Sequence, residues 1–353
     1  MHSIFVVLFC LSALRVINSG WAADIPPSPS EGVQLKTYLG WENSLVLNAS
    51  GVEAVVVPVI GGRITQYSLN RENIIFENAG SAGKTFANTK TNFWVGGYQC
   101  DIGPEIRGIP DHNHLWMGLW RGQATNDHTV SVMSEPDATV GLQMEKEILI
   151  EPGTGDLGIT QRMKNISDKE TAFCLWDRTL CKGGGFALLP LKKRSRFKAG
   201  WSIRRTVNEK YVYDGNNPHS PRVKILNDVL VARTGGEATK VGADSDAGWI
   251  AYVRGRLLFV KYFPYFANRN YTDGGNSVEL YFDQQVSELE PLSPEIELKP
   301  GESYAFPEKW TLVEIEKEVS TFEEARKLVK KVPPSPFTRS PAGNPGPRPK
   351  NAK

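Results

Sequence analysis

Short runs in which apolar and polar residues alternate follow one another along most of the chain, separated by Gly, Pro, Asn or Asp. Successive side chains of a strand point to opposite faces, so this pattern predicts half-buried β-strands. Many runs are rich in Val, Ile, Tyr, Phe and Trp, which suit a pleated surface. We predict strands over residues 44–47, 52–59, 63–69, 130–133, 140–150, 157–164, 223–232, 249–262, 278–283, 295–298 and 310–315.

The spacing of the turn signals, roughly 8–12 residues, favours an antiparallel sandwich or barrel over alternating strands and helices. One helix is predicted, near the C-terminal end. Ser320 and Glu323 have the spacing of a capping box, and apolar residues between 322 and 329 then fall on one face. The sequence therefore predicts an all-β sandwich with a short C-terminal helix that packs on a sheet.

The two ends of the chain differ from this pattern. Residues 1–23 have the apolar stretch and small terminal residues of a secretory signal peptide, which predicts a secreted or periplasmic protein. Residues 24–33 form a leader rich in Pro and Ser, and residues 332–353 form a basic, Pro-rich tail that we expect to be disordered. The β domain is then residues 34–331, and no segment is long and apolar enough to predict a membrane span.

Composition and charge narrow the function classes. The 353 residues are 40% hydrophobic and 23% charged, which excludes a disordered chain. The formal net charge is only +2, so nothing points to a nucleic-acid partner. No motif for a cofactor or a metal stands out, and we predict neither.

Three cysteines follow the predicted signal peptide: Cys100, Cys174 and Cys181. An odd number allows at most one disulfide. The sequence is equally compatible with a small loop closed by Cys174 and Cys181 and with three buried thiols.

The segment over residues 109–122 holds two histidines, His112 and His114, beside Trp116, Trp120 and Arg121. In a strand, positions i and i+2 share a face, so the two histidines would converge on one ligand. A metal site needs a third ligand that the spacing does not supply, and a histidine without a role in an exposed loop is the alternative. The flanking tryptophans and the arginine favour binding of a sugar, because aromatic faces and paired N–H donors suit it.

Two carboxylates near the end of the domain, Glu288 and Glu290, share a face if the segment is extended. Two like charges close together raise one pKa, which suits proton transfer near neutral pH. The alternative is a pair of solvated carboxylates on an edge strand.

Four segments taken in order resemble the galactose mutarotase-like proteins, which are the aldose 1-epimerases and their relatives. They are residues 52–76, with a Gly-rich turn between two strands; residues 96–121, with Gly96-Gly97, Pro110-Asp-His112-Asn-His114 and Trp120-Arg121; residues 157–165, before an Asn turn; and residues 288–310, with Glu288-Leu-Glu290-Pro and Leu298-Lys-Pro-Gly-Glu. The resemblance implies a large antiparallel β-supersandwich with a site for a mono- or oligosaccharide on its concave face.

The resemblance also implies roles for individual residues. In the epimerases a glutamate takes the proton from the anomeric hydroxyl, and a histidine protonates the ring oxygen. Glu290 matches the base position best, with Glu288 as the near alternative. His114 or His112 matches the first histidine of the family.

The segment over residues 173–181 lacks the second histidine that the family usually carries there. It reads Phe-Cys-Leu-Trp176-Asp177-Arg178-Thr-Leu-Cys. Trp176, Asp177 and Arg178 are candidates for lining a binding site, although a core position is the stronger interpretation for Trp176. Two functions therefore stay open: proton transfer on a sugar, and non-catalytic glycan binding through Trp116, Trp120 and Arg121.

Overall fold

The computed structural model of the protein describes residues 32–337, which form two antiparallel sheets and three short α-helices. The predicted signal peptide, residues 24–31 of the predicted leader and residues 338–353 of the predicted tail lie outside the described residues. Across residues 32–337, no helix has the length and apolar character needed to cross a membrane.

The strands in chain order are β1 (Val33–Tyr38), β2 (Trp41–Ala49), β3 (Val52–Val57), β4 (Arg63–Leu69), β5 (Glu72–Asn73), β6 (Tyr98–Gly103), β7 (Trp120–Asn126), β8 (Thr129–Ser134), β9 (Leu142–Ile150), β10 (Leu157–Asn165), β11 (Thr171–Lys182), β12 (Phe186–Pro190), β13 (Ser202–Val207), β14 (Lys210–Asp214), β15 (Val223–Ile225), β16 (Val229–Arg233), β17 (Thr239–Ala243), β18 (Trp249–Arg254), β19 (Leu257–Tyr262), β20 (Val278–Phe282), β21 (Val286–Pro291), β22 (Ile296–Leu298) and β23 (Ser303–Glu314). The helices are α1 (Phe86–Thr89), α2 (Asn113–Trp116) and α3 (Phe322–Lys327).

The large sheet has the order β1-β2-β3-β4-β6-β11-β21-β20-β17-β13-β14, with β5 beside β4 and β22 beside β11. The small sheet has the order β15-β16-β12-β18-β19-β23-β10-β9-β8-β7. The predicted antiparallel sandwich with a short C-terminal helix is confirmed. The order also places strands that are distant in the sequence, from β6 to β13, side by side in the large sheet.

The predicted strand runs each contain a strand, but two of them are hairpins. Residues 223–232 divide into β15 and β16 at a turn where Asn227 and Asp228 have φ of 49° and 60°. Residues 249–262 divide into β18 and β19 at Gly255, whose φ is 58°. Asn, Asp and Gly tolerate this left-handed region, so a two-residue turn interrupts each run without breaking its apolar pattern.

The main core lies between the two sheets. Trp310 on β23 meets the rings of Tyr67, Tyr98 and Phe259 edge to face, with centroids 5.7, 5.0 and 5.2 Å away. Each of these four side chains is fully buried. Edge-to-face contact suits the aromatic quadrupole, so this group joins the sheets through strands β4, β6, β19 and β23.

A second apolar cluster covers the outer face of the small sheet and includes α3. The helix packs on the sheet as predicted, but its capping box is one residue later than predicted. The Thr321 hydroxyl accepts from the Glu324 amide, and the Glu324 side chain accepts from the Thr321 amide. Val332 and Phe337, which fall in the predicted tail, pack against the same cluster.

The three described cysteines are buried and free. Cys174 and Cys181 both lie on β11, seven positions apart. At about 3.3 Å per residue, their Cα atoms are about 23 Å apart, which is too far for a disulfide. The alternative of buried thiols is the one found.

Candidate functional site

Charged side chains collect on the outer face of the large sheet, where six neighbouring strands from β6 to β13 run side by side. Glu290 on β21 lies directly opposite Glu279 on β20, and Glu288 lies opposite Tyr281. Tyr281 is in turn opposite Lys240 on β17. Directly opposed residues of an antiparallel pair point to the same face, so register alone gathers these groups.

Two adjoining cavities open on this face, with volumes of about 240 and 290 Å³. They share Trp94, Arg178 and Glu288. The first is also lined by Glu105, Trp176, Arg204, Lys240, Tyr281, Asp283, Val286 and Glu290. The second is also lined by Arg63, Asn92, Phe93, Val95, Gly96, Gln99, Trp116 and Leu180.

Glu290 is fully buried and belongs to an ion cluster around Lys240. Its Oε2 accepts hydrogen bonds from Trp176 Nε1 at 2.7 Å and from Lys240 Nζ at 2.8 Å. Lys240 also lies 3.0 Å from Glu279 and 3.1 Å from Glu105. Within the described part of the chain, Glu290 Oε1 has no hydrogen-bond partner.

Glu288 lies at the junction of the two cavities, and its carboxyl makes no hydrogen bond or ion pair with the residues that the structure describes. Burial and repulsion by Glu290 raise its pKa to about 7, although Arg178 and Lys240 act in the opposite direction. Burial likewise raises the pKa of Glu279 to about 8 against the attraction of Lys240. Glu288 is therefore a cavity carboxyl that changes protonation near neutral pH.

Arg178 is positioned by a chain of buried polar groups. Its Nη2 donates to Asp101, and His112 Nε2 is 2.6 Å from the other oxygen of Asp101. Burial opposes ionisation of Asp101, but Arg178 and His112 together lower its pKa to about 2. Burial lowers the pKa of His112, but the hydrogen bond to Asp101 outweighs it, so the net shift is upward.

Three tryptophans border the cavities. Trp94 is 41% exposed and stacks on Phe76 with centroids 4.7 Å apart. The Arg178 guanidinium lies 4.4 Å from the centroid of Trp176 and 5.8 Å from that of Trp116. Aromatic faces next to charged donors and acceptors are the combination that a sugar, with apolar ring faces and peripheral hydroxyls, requires.

The two predicted histidines do not converge. The segment forms the short helix α2 rather than a strand, so positions i and i+2 no longer share a face. His112 turns inward to Asp101, whereas His114 is exposed and pairs with Glu135 at 3.1 Å. Of the described residues, no histidine lines either cavity.

Three other predicted contact residues lie away from the cavities. Trp120 is a core residue on β7, 1% exposed, with Lys146 Nζ 4.3 Å above its ring. Arg121 is exposed on the same edge strand of the small sheet. Asp177 is fully buried between the sheets and bonds Lys261, because it alternates with Trp176 and Arg178 along β11.

The sequence prediction does not include four residues that line the first cavity, Trp94, Glu105, Arg204 and Lys240, nor Glu279, which contacts Lys240. Lys240 and Glu279 stand as single charged residues inside short apolar strands, which is the one signal the sequence offered. Arg63 lines the second cavity, where it donates to the carbonyls of Ile60 and Gly96. Burial and repulsion by Arg178 lower its pKa to about 9.

Comparison with known proteins finds similarity in structure and none in sequence. No protein-family model matches the sequence, and no curated protein matches it. A galactose mutarotase-like protein from Lactobacillus casei superposes with a TM-score of 0.54 at 11% identity, over 76% of this chain and 100% of that one. A galactose mutarotase-like protein from Clostridium acetobutylicum gives 0.53 at 11%, over 81% and 99%. A galactose mutarotase related enzyme from Lactobacillus acidophilus gives 0.51 at 10%, over 78% and 100%. The chain has the galactose mutarotase-like fold.

Proposed function

We propose that this protein binds a sugar in the two adjoining cavities and transfers a proton at its anomeric centre, as an aldose 1-epimerase does. The observation that carries the proposal is Glu288, a cavity carboxyl with no hydrogen-bond or ion-pair partner among residues 32–337 and with a pKa of about 7. The names of the similar solved structures support a sugar as the ligand. The apolar stretch within residues 1–23 supports a secreted or periplasmic location.

Binding follows from the composition of the cavity walls. The exposed face of Trp94 offers a stacking surface at the junction of the cavities. Arg178 and the carboxylates of the first cavity can bond hydroxyl groups at the ring's edge. The sugar would sit on Trp94 with its anomeric carbon next to Glu288.

In the proposed reaction, the Glu288 carboxylate accepts the proton of the anomeric hydroxyl. The bond between the anomeric carbon and the ring oxygen breaks as the carbonyl forms, and the ring oxygen takes up a proton from water. Ring closure on either face reverses these transfers and gives either anomer. Glu288 thus acts as a general base with its pKa close to the operating pH. It takes this role in place of Glu290, the better match in the sequence, because Trp176 and Lys240 already donate to Glu290 Oε2.

Arg178 takes the place of the histidine that the resemblance leads us to expect. Of its guanidinium nitrogens, Nη2 bonds Asp101, whereas Nε has no acceptor among the described residues. A guanidinium keeps its proton at neutral pH, so Arg178 would stabilise the negative charge that develops on the ring oxygen. The chain to Asp101 and His112 would hold it in place.

The test is exchange NMR of the α and β anomers of D-glucose and D-galactose. Glu288→Gln should lower the protein-catalysed rate about 10²–10⁴-fold while sugar affinity changes little, because the amide keeps the shape and loses the base. The wild-type rate should rise with pH through about 7. Glu147→Gln, an exposed change on the small sheet, is the matched control. A wild-type rate in Glu288→Gln would remove Glu288 from the mechanism.

A second candidate, non-catalytic glycan binding, is favoured by the lack of a cavity histidine within residues 32–337. In that case anomer exchange stays at the solvent rate while sugars still bind. Trp94→Ala should then weaken binding by roughly 1–3 kcal/mol, the scale of one aromatic anchor. Unchanged affinity in Trp94→Ala would count against this site in either candidate.

A further inference from the structure

We propose that the sugar bound at this site carries a positively charged amino group, which Glu288, Glu290 and Asp283 hold in the first cavity. This inference rests on the proposed function and adds the chemical class of the substrate. Its basis is the charge balance of the cavity walls, the unpartnered carboxylate oxygens there, and the aromatic faces beside them.

Carboxyl groups outnumber cations in and directly behind the cavity walls. Six carboxyl groups, Asp101, Glu105, Glu279, Asp283, Glu288 and Glu290, face four cations, Arg63, Arg178, Arg204 and Lys240. His112 adds a charge only when it is protonated.

Three of these cations are already in contact with carboxylates. Arg204 pairs with Glu105, Arg178 pairs with Asp101, and Lys240 contacts three carboxylates. Once Glu288 is ionised, carboxylates outnumber these cations among the described residues, even when Glu279, whose pKa is about 8, keeps its proton.

Two of the carboxyl groups that line the first cavity carry oxygens without a hydrogen-bond partner among residues 32–337. Glu290 is fully buried, and its Oε1 has no partner among the described residues. Glu288 has no hydrogen bond to any described group. Asp283, at the rim, is held by its neighbours: it accepts from the Tyr281 hydroxyl at 3.1 Å and from the amides of Gln285 and Val286 at 2.8 and 3.0 Å. A buried carboxylate oxygen without a donor costs free energy, which an entering cation would recover.

The same walls favour an organic cation. Trp176 already faces two cations, with Lys240 Nζ 4.5 Å and the Arg178 guanidinium 4.4 Å from its centroid. Trp94 is 41% exposed, so its ring is open to contact with a third cation. Among residues 32–337, no group of three His, Cys, Asp or Glu side chains is arranged to hold a metal ion. A sugar with a carboxylate would instead meet Glu288 and Asp283.

The charge of Glu288 makes this preference depend on pH. The groups that act on it are Glu290 on its own strand, Arg178 on β11, Lys240 on β17, Tyr281 on β20, Asp283 in the following turn and Arg63 on β4. Because its pKa is about 7, Glu288 is mainly neutral at pH 6 and mainly ionised at pH 8. Affinity for a cation of constant charge should therefore rise between these pH values.

The experiment is calorimetric titration of the full chain at pH 6 and pH 8 with three sugars. N,N,N-Trimethyl-D-glucosamine carries a charge that does not titrate, N-acetyl-D-glucosamine is neutral, and D-glucuronic acid is anionic. At pH 8 the cationic sugar should bind at least about tenfold tighter than the neutral sugar, the scale of one cation–π contact or one ion pair shielded from water. At pH 6 this ratio should shrink.

Glu288→Gln should reduce the ratio at pH 8, whereas Glu147→Gln should leave it unchanged. If Glu288→Gln does not fold, the comparison of pH 6 and pH 8 in the wild type still decides. Equal binding of the cationic and neutral sugars, or tightest binding of glucuronate, overturns this inference and leaves the proposed function standing. A protein that binds none of these sugars, nor glucose or galactose, overturns both.

Discussion

Two lysine-centred ion clusters lie on opposite faces of the large sheet. On the outer face, Lys240 contacts Glu105, Glu279 and Glu290 beside the cavities. Between the sheets, Lys261 on β19 contacts Asp177 and lies 3.5 Å from Glu308. Apart from Glu105, the charged residues of both clusters lie on strands, so strand location alone does not distinguish the clusters.

The surroundings of the two clusters differ. Lys261 is sealed in the core, with its Nζ 5.1 Å from the centroid of Trp310 and 5.7 Å from that of Tyr98. Burial and repulsion by Glu308 raise the pKa of Asp177, although Lys261 acts against this shift. The Lys240 cluster instead adjoins Glu288 and an opening of about 240 Å³. The comparison teaches that access, rather than the set of residues, separates a structural cluster from one that can meet a ligand.

The largest expected effect is on the core cluster. Lys261→Met should lower the free energy of unfolding by about 3–5 kcal/mol, because it leaves Asp177 and Glu308 buried without their cation. Urea unfolding measures this loss. Sugar affinity of the remaining folded protein should stay the same, whereas Lys240→Met should change it. A Lys261→Met protein as stable as the wild type would contradict the conclusion that the sealed Lys261 cluster has a structural role.

An intermediate effect concerns pH and the outer cluster. The pKa of Glu279 is about 8 in the folded protein and ordinary when unfolded, so the folded state binds more protons between about pH 4.5 and pH 8. The stability that this proton binding contributes is complete below pH 4.5 and is lost as pH rises through 8. Glu279→Gln should therefore flatten the fall of unfolding free energy over this range, by about 1–3 kcal/mol.

Urea unfolding at half-unit steps from pH 5 to pH 8.5 measures the slope. Glu147→Gln, with its carboxylate exposed, should keep the wild-type slope. A Glu279→Gln slope equal to that of the wild type would contradict the assignment of this titration to the outer cluster.

The smallest expected effects separate the two histidines, of which only His112 is connected to the outer face. His112→Ala removes a hydrogen bond of 2.6 Å from buried Asp101 and should cost about 1–2 kcal/mol of stability. It should also weaken sugar binding through Arg178. His114→Ala removes an exposed pair with Glu135 and should cost about 0.5 kcal/mol or less, with no change in binding. Equal effects of the two changes would contradict the claim that His112 acts on the site through Asp101 and Arg178.

The sequence predicted the fold more completely than the site. Period-two alternation located strands such as β4 and β10, because one buried face leaves a local pattern. It also placed Glu288 and Glu290 on one face of a strand, as found. The predicted convergence of His112 and His114 is not found, because a four-residue helix, too short for a periodic pattern, replaces the expected strand.

Alternation along β11 decides to which face of the sheet each side chain of Trp176-Asp177-Arg178 points. A strand must send Asp177 to the face opposite its two neighbours, which follows from the sequence once β11 is known to be a strand. The sequence does not show which face of β11 meets the small sheet, because Trp and Arg suit the edge of a core and the wall of a cavity equally. The position of Lys261 on the facing sheet settles it.

By itself, the sequence determined an all-β antiparallel sandwich, a terminal helix, and a carboxylate pair on one strand, because these depend on residues within about a dozen positions. Only the tertiary structure decided that Trp94, Lys240 and Glu279 lie near Arg178 and Glu288. Trp94 and Glu288 are 194 positions apart in the sequence. Sheet order sets such meetings, and order depends on the packing of all the strands together.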